Sequence, residues 1–147
     1  ADIVITATGL KMLPFGGIEM RVDGKGIDFS STMQYKGVML SNIPNFFAAS
    51  GYTNASWTLK CDLTSNYVCR LIKYCDSKGY QICMPRDVGD SEKQVMSVGL
   101  TSGYILRSIN KFPKEGLRSP WKLRQNYFLD LIGLRFAALK NSKMFFS

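Results

Sequence analysis

Gly51, Tyr52, Thr53, Asn54, Ala55, Ser56 and Trp57 stand directly ahead of a long helical pattern. Small residues let a backbone approach a flat ligand closely, and hydroxyl or amide side chains cap a helix or donate hydrogen bonds. A helix amino end carries unpaired N–H groups and about +0.5 of an elementary charge, which suits a group that holds or gains negative charge. The turn Ala7-Thr8-Gly9 is a second candidate, because Thr8 and Gly9 close an apolar run and allow another close approach. A plainer role fits the same residues. Asn54 or Ser56 could be an ordinary N-cap, Tyr52 and Trp57 packing residues, and Thr8-Gly9 the end of any strand.

Other chemistries are excluded within these 147 residues. The chain has no histidine, so it holds no His-based triad, no His-ligated zinc and no His general acid–base. Gly24-Lys25-Gly26 is a turn and not a dinucleotide loop. Cys61, Cys69, Cys75 and Cys83 lack zinc or redox spacing and read as free, mostly buried thiols. No paired carboxylates at catalytic spacing, phosphate loop or metal cluster is visible, which gives little support to an enzyme complete within these residues, and no metal ligand is assigned.

The net charge is +8, thickening after residue 100, where only Glu115 and Asp130 oppose nine Lys and Arg residues. Such a spread fits a solvated face, or a surface that docks onto other domains or a membrane. No nucleic-acid-binding motif accompanies it. The hydrophobic share of 46% and charged share of 20% suit a folded domain. No apolar run approaches the roughly 20 residues that span a bilayer. The chain opens at Ala1 on a strand pattern, and the expectation is a piece of a longer protein, cytoplasmic or peripheral to the inner membrane.

The elements that would position the candidates follow from periodicity. Residues 2–7 read as a buried strand. Residues 18–22 and 27–29 alternate around Asp23-Gly24-Lys25-Gly26 and predict a β-hairpin. Tyr35 to Leu40 and Phe46 to Ser50 read as further strands. Leu63, Tyr67, Val68, Leu71, Ile72 and Cys75 form one stripe, with Lys60, Asp62, Ser65, Asn66, Arg70 and Lys73 on the other face. This predicts a helix over 56–77 stopped by Gly79. Residues 80–98 read as a surface loop, and Gly103 to Phe112 as a short helix. A second helical segment begins at Trp121, with Leu123, Tyr127, Leu131 and Leu134 as its stripe. Residues 143–146 end the chain as a strand or ordered tail.

Three runs carry a resemblance: Asp2-Ile3-Val4-Ile5-Thr6-Ala7-Thr8-Gly9, then Pro44-Asn45-Phe46-Phe47, then the Gly51 to Lys60 run. Together they resemble the C-terminal third of bacterial flavin-containing monooxygenases, including the Baeyer–Villiger type. Residues 113–127 resemble the tail of a subgroup related to ketone and thioether monooxygenases and to enzymes of long-chain alkane metabolism. The dinucleotide loops and the His-containing Baeyer–Villiger fingerprint would lie upstream.

The resemblance implies an α/β fold. Residues 1–79 would be part of a Rossmann-type FAD-binding domain, with strands, a β-hairpin and one long helix. Residues 80–147 would be a loop and a basic helical C-terminal extension. FAD and NADPH are the implied cofactors of the whole protein. NADPH would reduce FAD, and a peroxyflavin would pass one oxygen from O2 to a small apolar ketone or soft heteroatom. The implied cofactor-facing residues are Thr8, Gly9, Gly51, Tyr52, Thr53, Asn54, Ala55, Ser56 and Trp57. The implied partners are N-terminal FAD and NADPH domains outside this chain. Taken alone, the chain is expected to be inactive and to self-associate through uncovered edges. The alternative is a non-catalytic module that binds a membrane surface or a protein partner through its basic, aromatic half.

Overall fold

A computed structural model describes residues 1–89, 92–94 and 103–147. Its centre is helix α1, Trp57–Lys78. Leu63, Tyr67 and Leu71 on its inner stripe are at most 1% exposed. Burying one such side chain stabilises the fold by about 1.5–3 kcal/mol. Gly79 ends the helix at φ +70°, a left-handed turn that a side chain would strain, and its N–H reaches the carbonyls of Asp76 and Cys75. The periodicity therefore gives both ends of α1 to within one residue.

A hairpin forms at the predicted place but is tighter, as β1 (Arg21–Val22) and β2 (Lys25–Gly26) turning at Asp23-Gly24; β2 falls within the predicted 23–26 turn, and residues 27–29 form no strand, Phe29 opening a 3-10 turn. The Ile27 N–H donates to the Met20 carbonyl at 2.9 Å and extends the pairing. Tyr35 to Leu40 is not one strand. Lys36 and Gly37 have φ of +53° and +67°, which folds the run into a second hairpin of β3 (Gln34–Tyr35) and β4 (Met39–Leu40). Residues 80–89 are more than loop, because β5 (Cys83–Pro85) pairs antiparallel with the chain's last strand, β8 (Met144–Phe146). Strand β6 (Lys93–Gln94) pairs with β7 (Glu115–Gly116). The rest of the predicted 80–98 loop, at 90–91 and 95–98, lies outside the described residues.

Two further predicted strands do not form. Residues 2–7 pair with nothing among the described residues, and Ile3, Val4 and Ile5 are 81%, 76% and 88% exposed. Phe46 to Ser50 runs irregularly, with the Ala48 N–H donating to the Val38 carbonyl. Strand propensity at both places lacks a neighbouring strand that could complete a ladder. Among the described residues the sheets are four antiparallel pairs. The fold is thus α/β with short ladders, and no Rossmann-type parallel sheet is seen there.

The Gly103 to Phe112 segment splits into α2 (Gly103–Leu106) and a 3-10 turn at Ile109–Lys111. The segment expected from Trp121 becomes helical only at α3 (Tyr127–Asp130), because Asn126 caps it by accepting the Leu129 N–H at 3.1 Å. A wider π-helical stretch, Leu131–Phe136, continues it. One core joins the β3–β4 hairpin, α1 and this C-terminal helix through Met33, Tyr35, Met39, Tyr67, Trp121 and Leu134.

Candidate functional site

A cavity of about 340 Å³ lies beside the segment that leads into α1. Ala48 to Thr53 line it, Trp57 and Lys60 contribute from α1, and Met39, Ile105 and Leu123 add apolar surface. The lining holds the cations Lys60 and Arg124 and no carboxylate among the described residues. Apolar walls with a few polar groups at one edge are the usual make-up of a small-molecule site.

Local structure explains the contribution of each residue. An ideal Cβ on Gly51 would sit 2.2 Å from the Trp57 ring and 2.6 Å from the Trp57 Cα, so only glycine fits where the segment passes the start of α1. Trp57 itself is 58% exposed and so is not a core residue. The Thr53 N–H donates to Gln125 Oε1 at 3.1 Å, and the Asn54 side-chain amide donates to the Gln125 carbonyl at 3.1 Å. These bonds hold the approach to α1 against the chain just before α3.

Ser56 occupies the N-cap position, but its side chain makes no capping bond. Its hydroxyl lies 2.9 Å from that of Thr58. The first turn of α1 also lacks an acidic side chain. The partial positive charge at this amino end is therefore not offset locally.

Tyr52 is 3% exposed and donates from its hydroxyl to Asp130 Oδ2 at 2.8 Å. Lys60 reaches the same oxygen at 2.6 Å and lies 5.5 Å from the centre of the Tyr52 ring. Burial, reinforced by the Asp130 carboxylate, pushes the Tyr52 phenol well above its ordinary pKa. Tyr52 is therefore a neutral donor at physiological pH.

Of the candidate residues, the structure brings Gly51, Tyr52, Thr53 and Trp57 to the cavity wall, while Asn54, Ala55 and Ser56 lie in the adjoining turn outside its lining. Thr8 and Gly9 are not among the residues of that wall. They edge a separate cleft with Lys11, Arg107 and Lys111, where Arg107 donates to the Thr8 carbonyl at 3.5 Å.

Sequence reasoning put Lys60 on the solvent face, yet it is 6% exposed. A signal was present, since Lys60 precedes Leu63, Thr64, Tyr67 and Leu71 at helical spacings of three, four, seven and eleven. Asp130 and Gln125 carried no comparable local signal. The Pro44-Asn45-Phe46-Phe47 run has a structural explanation. At φ +54° the Asn45 side chain accepts the Cys83 N–H and donates to the Gln81 carbonyl, both at 2.9 Å, which stitches this turn to β5.

A flat aromatic group with one electron-rich edge fits this cavity. Its faces would meet apolar wall, and its edge would meet Arg124 and Lys60, the latter held from behind by Asp130, close to the start of α1. Among the described residues no group of three His, Cys, Asp or Glu could hold a metal ion. No described helix is long and apolar enough to cross a membrane.

No protein-family model matches the chain. No solved structure matches it either. Among curated proteins, the chain is 44% identical along its whole length to "FAD-containing monooxygenase EthA" of Mycolicibacterium smegmatis. It is 47% identical over 93% of its length to the Mycobacterium tuberculosis protein of the same name. It is 43% identical over 99% of its length to "Probable FAD-binding monooxygenase AlmA" of Acinetobacter baylyi. The chain spans about 30% of the length of each of these relatives.

Proposed function

We propose, given that this chain is a segment of the FAD-containing monooxygenase family, that it forms one wall of the FAD site in a cytoplasmic, NADPH-dependent monooxygenase. The observation that carries this reading is the cavity beside Gly51, Tyr52, Thr53 and Trp57, with its uncapped helix amino end and carboxylate-free lining. FAD reduced by NADPH would activate O2, deliver one oxygen atom to a small apolar ketone or soft heteroatom, and release the other as water.

This chain's residues bind and orient. Gly51 permits close approach, Trp57 walls the ligand off from water, and the α1 amino end favours the charge that FAD gains on reduction. Asn54, Ala55 and Ser56 present that amino end. Thr8 and Gly9 act as a hinge toward the NADPH domain. Strands outside this chain complete a Rossmann-type sheet on the run at residues 2–7. The test is an absorption spectrum of the native polypeptide from its source cells. Flavin bands that bleach with NADPH under anaerobic conditions support the reading, and a colourless polypeptide that never takes up FAD overturns it. The 147-residue chain alone should oxidise no NADPH.

One observation favours a second, additional contact. The C-terminal helix buries Leu134 and Asp130 on one face, yet Phe128, Ile132 and Phe136 on the other are 72%, 60% and 68% exposed. Lys122, Arg124, Arg135 and Lys140 are exposed around that stripe. The nearest acid in sequence, Asp130, is occupied by Lys60. An exposed apolar stripe with exposed cations close to it in the chain matches an anionic lipid surface. Co-sedimentation with vesicles containing anionic lipid should fall in high salt and in Phe128→Ser/Phe136→Ser. Equal retention on zwitterionic vesicles would count against it.

A further inference from the structure

Lys60 in the cavity wall belongs to an ion pair that packing alone does not require. Lys60, Asp130 and Tyr52 are 6%, 7% and 3% exposed, and Asp130 Oδ2 receives both the ammonium and the phenol hydrogen bond. The three come from separate parts of the chain: the segment entering α1, α1 itself, and α3. Burying two charges costs more desolvation than a well-packed apolar pair, so such a pair is weak evidence for stability. The arrangement has a direction. Lys60 lines the cavity, whereas Asp130 stands behind it and lines a different, smaller cleft. The pair is neutral in sum but turns its positive end toward the cavity. Tyr52 also lines the cavity and fixes the carboxylate from the same side. Its hydroxyl takes part of the carboxylate's hydrogen-bonding capacity and leaves less of the negative charge to offset Lys60.

We propose that Lys60 sets the electrostatic potential of the cavity, with Asp130 and Tyr52 as its positioning residues, and that this trio tunes how readily bound FAD accepts electrons. The inference rests on the FAD-facing reading above and deepens it. A positive end held in a partly buried wall stabilises the form of the ligand that carries more negative charge, and the low local dielectric strengthens that effect.

The sign of the effect separates this role from a merely structural one. The midpoint potential of the flavin is measured by equilibration with reference dyes in the holoprotein that contains this chain. In Lys60→Met the preference for reduced flavin should fall about tenfold, which is about 30 mV for a two-electron couple. In Asp130→Asn it should rise by a similar factor, because the ammonium loses its partner. Lys60→Arg, which keeps the charge, should stay within about twofold of the parent. Shifts of the two single variants in the same direction, or no shift in either, would overturn the proposal.

Each single variant leaves one buried charge unpaired and can fail to fold. The double variant Lys60→Met/Asp130→Asn leaves none, and its preference should fall about threefold. A parental value there would also overturn the proposal. Failure of the underlying reading looks different: FAD would then leave hydrogen exchange over residues 48–60 unchanged. Protection of that segment with unshifted potentials would sink the trio's role alone.

Discussion

Two apolar regions of this chain behave in opposite ways. Ile3-Val4-Ile5 is β-branched and as hydrophobic as anything in the sequence, yet its residues are more than three-quarters exposed. The Leu63-Tyr67-Leu71 stripe of α1 is at most 1% exposed. A helix closes its own backbone hydrogen bonds and needs only a surface for one face. A strand leaves its N–H and C=O groups open until a neighbour pairs with them. The α1 stripe finds its surface in the β3–β4 hairpin and the C-terminal helix. The Ile3 run finds no partner strand among the described residues.

Leu71→Ala should lower unfolding stability by about 2–5 kcal/mol in a denaturant titration, as for other fully buried leucines. A loss below about 1 kcal/mol would mean that the stripe is not the core. Gly51→Ala should come next. Its Cβ would overlap the Trp57 ring and force the segment outward, at a cost of about 1–3 kcal/mol. Trp57 emission should shift in the variant, and an unchanged spectrum would contradict the close packing.

A third test uses pH. Burial, together with the adjacent Cys75, pushes the Cys83 thiol up to about 12. The folded chain therefore holds that proton more tightly than the unfolded chain. The associated stability is complete below about pH 8.5, the ordinary thiol value, and declines as pH rises toward the folded value. Urea midpoints from pH 8 to 11 should drop more in the parent than in Cys83→Ala. The smallest effect belongs to the exposed run. Ile5→Ser should change the stability of this chain by no more than about 0.5 kcal/mol. It should, however, reduce self-association seen by light scattering at high concentration, because fewer apolar side chains remain uncovered.

The same physics decides what could be read without a structure. Helix α1 was legible to within a residue because a four-residue repeat and a terminal glycine are local signals. The place of the β1–β2 hairpin was legible because Asp23-Gly24 dictates its own turn, but its second strand lies at Lys25–Gly26 and not at 27–29. The pairing of β5 with β8 was not, since Cys83 and Phe146 are far apart in sequence and neither flank announces the other. At the site, Gly51 and Trp57 could be named from their place before α1. The Lys60–Asp130 pair could not, because it depends on two helices meeting. Thr8 and Gly9, which the resemblance sets at a hinge near the cofactors, lie beside Arg107 in a cleft apart from that cavity.

Hydrogen exchange read by mass spectrometry tests the proposal that residues 48–60 face FAD. It is measured on the native, full-length polypeptide that carries this chain, with and without FAD. The account predicts slower exchange at the Ser50 to Thr53 amides and at the first-turn amides of α1 when FAD is bound, with little change over Leu63 to Cys75. Bound FAD that leaves residues 48–60 exchanging at the same rate would contradict it.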